Sequence, residues 1–201
     1  SIEQGQLEQA DRELQQARAL EPKNGEVDYL AGVIAQRWQR NDSALAYYTR
    51  ACEKAPAELP YVLARAEMLV AVDRRAEALS LLLDKMAYFE NSATIRDAVG
   101  QLLSQDGKHA EAVMQLRHAS ILAPDEQGIR EHLALATYYA GYYREAAHII
   151  ERLMADEKYA ARADLLSALG ECRMQLGLFR EARESFETAA QHDPSSPAIW
   201  L

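Results

Sequence analysis

No apolar run in the sequence approaches the ~20 residues that a helix needs to span a bilayer. Helix breakers are scarce, with 6 Pro and 9 Gly in 201 residues, too few for a loop-rich or disordered chain. Cations are in the minority: 22 Lys and Arg face 31 Asp and Glu, for a formal charge of −9. That balance argues against a nucleic-acid binder, because phosphate neutralisation needs clustered Lys and Arg. Gly-x-Gly-x-x-Gly, Walker and Gly-x-Ser-x-Gly signatures are missing, so no nucleotide-cradling loop or serine nucleophile is indicated. Cys52 and Cys172 are the only cysteines and say little about redox compartment. The opening Ser1-Ile2-Glu3-Gln4 has no signal-peptide character, and cytoplasm and periplasm both stay open.

What the chain has is a period. Alanine recurs at Ala10, Ala44, Ala78, Ala112, Ala146 and Ala182, in four steps of 34 and one of 36. Ahead of it, Gly5, Gly107, Gly141 and Gly177 mark turns where positive φ is free of steric cost. Gln39 and Asp73 stand at the equivalent places, which predicts less ideal turns there. Pro22, Pro56, Pro124 and Pro194 close helices, while Glu90 and Lys158 occupy the corresponding positions elsewhere. Small residues such as Ala31-Gly32-Ala35 and Ala134 let two helices approach, and Tyr48, Leu82, Leu116, Ile150 and Phe186 have the bulk to fill the gap. Asn41-Asp42-Ser43 formally matches a glycosylation acceptor, but its place at a helix start predicts Asp42 or Ser43 as an N-cap.

Leu169-Gly170, Ala182-x-x-x-Phe186, Ala189 and Pro194 resemble the tetratricopeptide repeat (TPR), and 34 residues is the period of that family. The resemblance implies an all-α fold, a right-handed α-solenoid of antiparallel helix-turn-helix repeats. One array would cover 1–201: a partial repeat over 1–24, repeats at about 25–58, 59–92, 93–126, 127–162 and 163–196, and another beginning at 197–201. Trp200 then stands where the motif carries its large aromatic, and both ends are expected to cut through a repeat. In such a stack Cys52 and Cys172 lie too far apart to bridge. Arg65 and Lys85 depart from the family preference for an apolar residue and Ala, so the 59–92 pair should be the most irregular. The extra two residues are expected within 156–162.

The family lines its concave groove with first helices, and partners lie along it. Transferring that geometry selects Tyr29, Val33, Gln36 and Arg37, then Leu63, Glu67, Val70 and Ala71. Asp97, Gln101, Ser104 and Gln105 follow, then Glu131, Leu135, Tyr138 and Tyr139, and finally Ser167, Glu171, Met174 and Gln175. With the helix starts Glu26 and Asp164, acids on this face number six against one base, Arg37. The expectation is a mildly acidic groove with tyrosine anchors for a protein or peptide bearing basic and apolar residues, without nucleic acid, membrane, metal or other cofactor. Groove positions that hold acids, Gln, Tyr and aliphatics disfavour capture of a C-terminal carboxylate. Glu145-x-x-His148 has the spacing of half a di-iron site, yet no second half exists, and the other histidines lack partners at ligand spacing. Tyr142-Tyr143 fits turn and inter-helix packing. The function indicated is a non-catalytic protein–protein interaction scaffold. Alternatives are a partner-selecting segment of a larger enzyme, and self-association through exposed end helices.

Overall fold

A helix ends readily where one residue turns left-handed, a conformation that is free of steric cost only for glycine. The computed structural model of the chain describes residues 19–193 and positions 9, 12–14, 16 and 17. Within it, Gly107, Gly141 and Gly177 turn left-handed with φ of 75°, 78° and 76°, and Gln39 and Asp73 are held at 59° and 60°. The same two hydrogen bonds close each turn. Gly107 N–H donates to the Ser104 carbonyl (3.0 Å) and Lys108 N–H to the Leu103 carbonyl (2.9 Å). At the non-glycine turns, Arg40 N–H reaches the Ala35 carbonyl (2.9 Å) and Arg74 N–H the Leu69 carbonyl (2.7 Å). Backbone bonding therefore overrides a side-chain cost of about 1–2 kcal/mol at Gln39 and Asp73.

These turns join α1 (Gly25–Arg37) to α2 (Asn41–Lys54), α3 (Leu59–Ala71) to α4 (Arg75–Lys85), and α5 (Ala93–Gln105) to α6 (His109–Leu122). α7 (Gln127–Tyr139) pairs with α8 (Tyr143–Leu153), a single-turn helix α9 (Glu157–Ala160) follows, and α10 (Ala163–Gln175) pairs with α11 (Phe179–His192). The described residues contain no strand, and no helix is long and apolar enough to cross a membrane. Two compact units result, residues 1–90 and 91–201, each a solenoid stack of antiparallel pairs. Gly5, Ala10, Pro194 and Trp200 lie outside the described residues.

Within a pair, a small residue on the first helix receives a bulky one from the second. A Cβ added to Gly32 would come within 2.5 Å of the Tyr48 ring, one on Gly100 within 2.5 Å of Leu116, and one on Gly170 within 2.7 Å of Phe186. Ala66 and Ala134 hold the equivalent places, and Leu82 and Ile150, their expected counterparts, are fully buried. In the first unit α1 is also tied to α2 by charge. Asp28, 1% exposed, accepts from Lys54 Nζ at 2.5 Å and Arg50 Nε at 3.2 Å. Removing the two cations would leave the Asp28 carboxylate buried without compensation.

In the second unit Ala134, Ala146, Ile150, Leu153, Tyr159, Leu165, Leu169 and Cys172 form one continuous core. The inserted residues build α9: Asp156 caps it by accepting from Lys158 N–H at 2.9 Å, and Tyr159 fills the space beneath, fully buried. Two expectations need amending. Irregularity is shared between pairs: α4 gives way to a 3-10 turn, Met86–Phe89, and α8 is equally short at 11 residues. Nor do Asp42 or Ser43 cap α2. That helix begins at Asn41 with Arg40 as N-cap and no side-chain hydrogen bond, because the left-handed turn at Gln39 brings the chain straight into the helix. Arg65 keeps its buried Nε without a partner, a cost of placing a cation where the motif prefers an apolar group.

Gly100→Ala should lower unfolding free energy by about 1–2 kcal/mol, overpacking against Leu116 outweighing the better helix propensity of Ala. Gly128→Ala, where an added Cβ meets nothing within 4 Å, should raise it by up to about 1 kcal/mol. Gln39→Gly should stabilise by about 0.5–1 kcal/mol and Asp73→Gly by less, since short polar side chains tolerate left-handed backbone better. Urea unfolding of the four variants checks sign and order.

Candidate functional site

Within each unit, polar side chains bridge the first helices of neighbouring pairs. In the first unit Gln36 of α1 donates from Nε2 to Glu67 Oε1 of α3 at 3.0 Å, while its carbonyl oxygen accepts from the Tyr48 hydroxyl at 2.8 Å. Tyr29 sits beside them, its ring 4.8 Å from that of Tyr61 and 5.6 Å from that of Tyr48. Burial first, then the proximity of Tyr29 and Glu67, pushes the Tyr48 hydroxyl up to about 12, so it stays a proton donor at any physiological pH. Val33, Leu63 and Val70 are half-buried, and Arg37 and Ala71 are exposed. The aromatic and amide groups of this unit are thus largely committed to holding α1, α2 and α3 together.

The second unit repeats the bridge with different chemistry. The Tyr138 hydroxyl of α7 donates to Glu171 Oε2 of α10. Tyr138 stands three periods after Gln36, and Glu171 stands three periods plus the insertion after Glu67. The bond therefore belongs to the repeat and not to one local accident. Burial and then Glu171 hold the Tyr138 hydroxyl well above the ordinary tyrosine value. One pair earlier, His132 Nδ1 of α7 lies 2.8 Å from Asp97 Oδ1 of α5, whose other oxygen accepts from Gln101 Nε2 at 2.8 Å. That bond outweighs burial and raises the His132 pKa above 6.5.

Besides His132, two residues that spacing alone did not select join this face. Arg162, the N-cap of α10, holds Asp164 at 2.6 Å and Glu131 at 3.0 Å. Its guanidinium holds the Asp164 carboxyl below the usual range. His109, at the start of α6, stacks on Tyr139 with centroids 5.3 Å apart and lies 3.4 Å from Ser104 Oγ. Arg162 lies in the insertion, so no period could place it. His132 lies one residue beyond a full period from Asp97, and that offset was the available signal.

The predicted residues divide by environment. Tyr139 is 59% exposed, with its ring 4.9 Å from that of Tyr138. Leu135 and Tyr138 are half-buried and pack against the core. Glu131, Gln101, Ser104 and Glu171 are half-buried, Met174, Gln105 and Gln175 exposed. Ser167, expected on the open face, is instead 8% exposed, with its hydroxyl unpartnered. Acids still outnumber bases here: Asp97, Glu131, Asp164 and Glu171 face Arg162 and a histidine. Among the described residues no cluster of three His, Cys, Asp or Glu is placed to hold a metal ion.

Residues 163–196 match the family model of the tetratricopeptide repeat. Solved structures extend the likeness to the whole array. YrrB, a TPR protein with an unusual peptide-binding site, is 15% identical with a TM-score of 0.81, over 92% of this chain and 95% of its own. The fold is that of a TPR solenoid. MamA is 16% identical with a TM-score of 0.74 over 88% and 96% of the two chains. A TPR protein from Parabacteroides merdae ATCC 43184 is 17% identical with a TM-score of 0.74, over 100% of this chain and 78% of that one. No curated protein sequence matches. TPR proteins generally mediate protein–protein interactions and are generally non-catalytic.

Because Asp97 raises the His132 pKa, the protonated pair stabilises the fold fully below pH 6.5. That contribution is lost as pH rises through the higher folded-state value. With the His132 side chain 35% exposed, it should amount to less than about 1 kcal/mol. Urea unfolding across this range should show wild type losing more stability than His132→Asn on going alkaline. NMR titration of the imidazole should place its midpoint above 6.5.

Proposed function

We propose that the chain is a non-catalytic scaffold that holds a peptide segment of a partner protein along the first-helix face of its second unit. The observation that carries this reading is the Tyr139 ring, more than half exposed and steadied by Tyr138 on one side and His109 on the other. Exposed, pre-positioned tyrosine is a favoured anchor at protein interfaces, because it gives contact area at small entropic cost. Around it, Glu131, Asp164, Glu171 and Asp97 supply a negative surplus that Arg162 only partly offsets. A segment with Lys or Arg near an apolar residue fits that environment. The peptide-binding site of the similarly folded YrrB supports the class of ligand, not its sequence.

In the first unit, taken by itself, Tyr29, Val33, Arg37, Leu63 and Glu67 would offer the same kind of contact, with Arg37 and Glu67 as exposed charges. The chemistry is recognition: hydrogen bonds fix the carboxylates before a partner arrives, so little ordering is needed on binding.

An array of synthetic peptides combining Lys or Arg with Leu or Phe, printed beside charge-reversed twins, tests the reading. The basic set should be retained, and retention should fall as salt shortens the Debye length. Tyr139→Ala should weaken it roughly tenfold while far-UV circular dichroism stays unchanged. Equal retention of both sets, or insensitivity to salt, would sink the proposal.

A further inference from the structure

The interhelical turns carry a pattern that the first-helix face does not use. Immediately before each second helix stand Arg40, Arg74 and Lys108 in the first three pairs, but Tyr142 and Leu178 in the last two. The next position reads Asn41, Arg75 and His109, then Tyr143 and Phe179. Three pairs thus fold with polar side chains at this edge, so helix pairing does not demand apolar ones. Yet Tyr142 is 45% exposed, Leu178 44% and Phe179 71%, and exposed apolar groups gathered at one edge mark contact sites.

The edge also has a shape. Tyr142, Tyr143, Arg144, Glu145 and His148 line an open hollow of about 640 Å³ together with Leu176 at the end of α10. That volume is in the range of ligand-sized clefts. Its lining is apolar at Tyr142, Tyr143 and Leu176. Glu145 is already held by Arg117 through both carboxylate oxygens, at 2.9 and 3.0 Å. Arg144 and His148 are exposed and hold no ion pair with any described residue. With Glu145 offset by Arg117, Arg144 is the uncompensated charge at the hollow. In a chain with a formal charge of −9 this spot is therefore positive by one charge, whereas the first-helix face carries a surplus of acids.

We infer that this hollow is a second docking site, which seats a short acidic segment of a partner protein with one apolar side chain. The apolar group lies among Tyr142, Tyr143 and Leu176, and a carboxylate pairs with Arg144, whose planar donors suit it. The site needs nothing from the first-helix face, and the two can be separated by experiment.

The test is a displayed random-peptide library selected on the whole chain, with counter-selection on Tyr142→Ser. That variant should fold, since polar residues hold the equivalent turns at Arg40, Arg74 and Lys108. Recovered peptides should combine Asp or Glu with Leu, Phe or Trp. By fluorescence polarisation, Tyr142→Ser and Arg144→Glu should each weaken them about tenfold or more, and Tyr139→Ala should leave them unchanged. Asp42 stands at the Arg144 position of the first pair, so an acid is compatible with the fold there. The inference is overturned if no recovered peptide depends on Tyr142, if the recovered peptides are basic, or if Arg144→Glu has no effect. It is also overturned if Tyr142→Ser abolishes a concentration-dependent self-association in sedimentation, which would give the hollow to a second copy of the chain.

Discussion

The close approach of two helices at a single small residue is the contact on which the architecture rests. At Gly32, Gly100 and Gly170 there is no room for even a methyl group, because Tyr48, Leu116 and Phe186 already occupy it. That contact sets the spacing within a pair, and the spacing decides which residues of the first helix are left to meet the next pair. Since one pair cannot bury its own apolar face, stability is shared between neighbours, and the unused side of each first helix is left available.

That side is braced before anything binds to it. Gln36 to Glu67 in one unit and Tyr138 to Glu171 in the other are the same repeat position solved with an amide and with a phenol. Arg162 and His132 add charged cross-members in the second unit alone. A face held by such bonds keeps its carboxylates in place, whereas loose acids would have to be ordered by the ligand. The hollow at Tyr142 and Leu176 differs in kind: its uncompensated charge is Arg144, and two tyrosine rings stand among its walls.

Much of this was legible in the sequence because it follows a period. Among the described residues the alanine spacing located each second helix, Gly107, Gly141 and Gly177 located three turns, and side-chain size marked Gly32 and the bulky Tyr48, Leu116 and Phe186 as close-packing residues. Even Gln39 and Asp73 were marked as turn residues by position against their own propensity. What escaped was whatever broke the period or depended on burial. Arg162 arrives through an insertion. Ser167 occupies an open-face position by count but is covered in the fold. The cap expected at Asp42 or Ser43 failed because a propensity rule for isolated helix starts does not hold where a left-handed turn leads directly into the helix. The surplus of acids could be counted in the sequence, but the pairing of Glu131 and Asp164 with Arg162 could not, since pairing is a property of three dimensions.

The turns hold one further asymmetry. Both left-handed residues that carry a side chain, Gln39 and Asp73, are in the first unit, while every described interhelical turn of the second uses glycine. Conformational strain is thus concentrated in one half of the array. Under mild denaturation, amide protons of α1 to α4 should exchange before those of α5 to α11. The half that bears the exposed tyrosine and the cationic hollow would then be the last to lose its form.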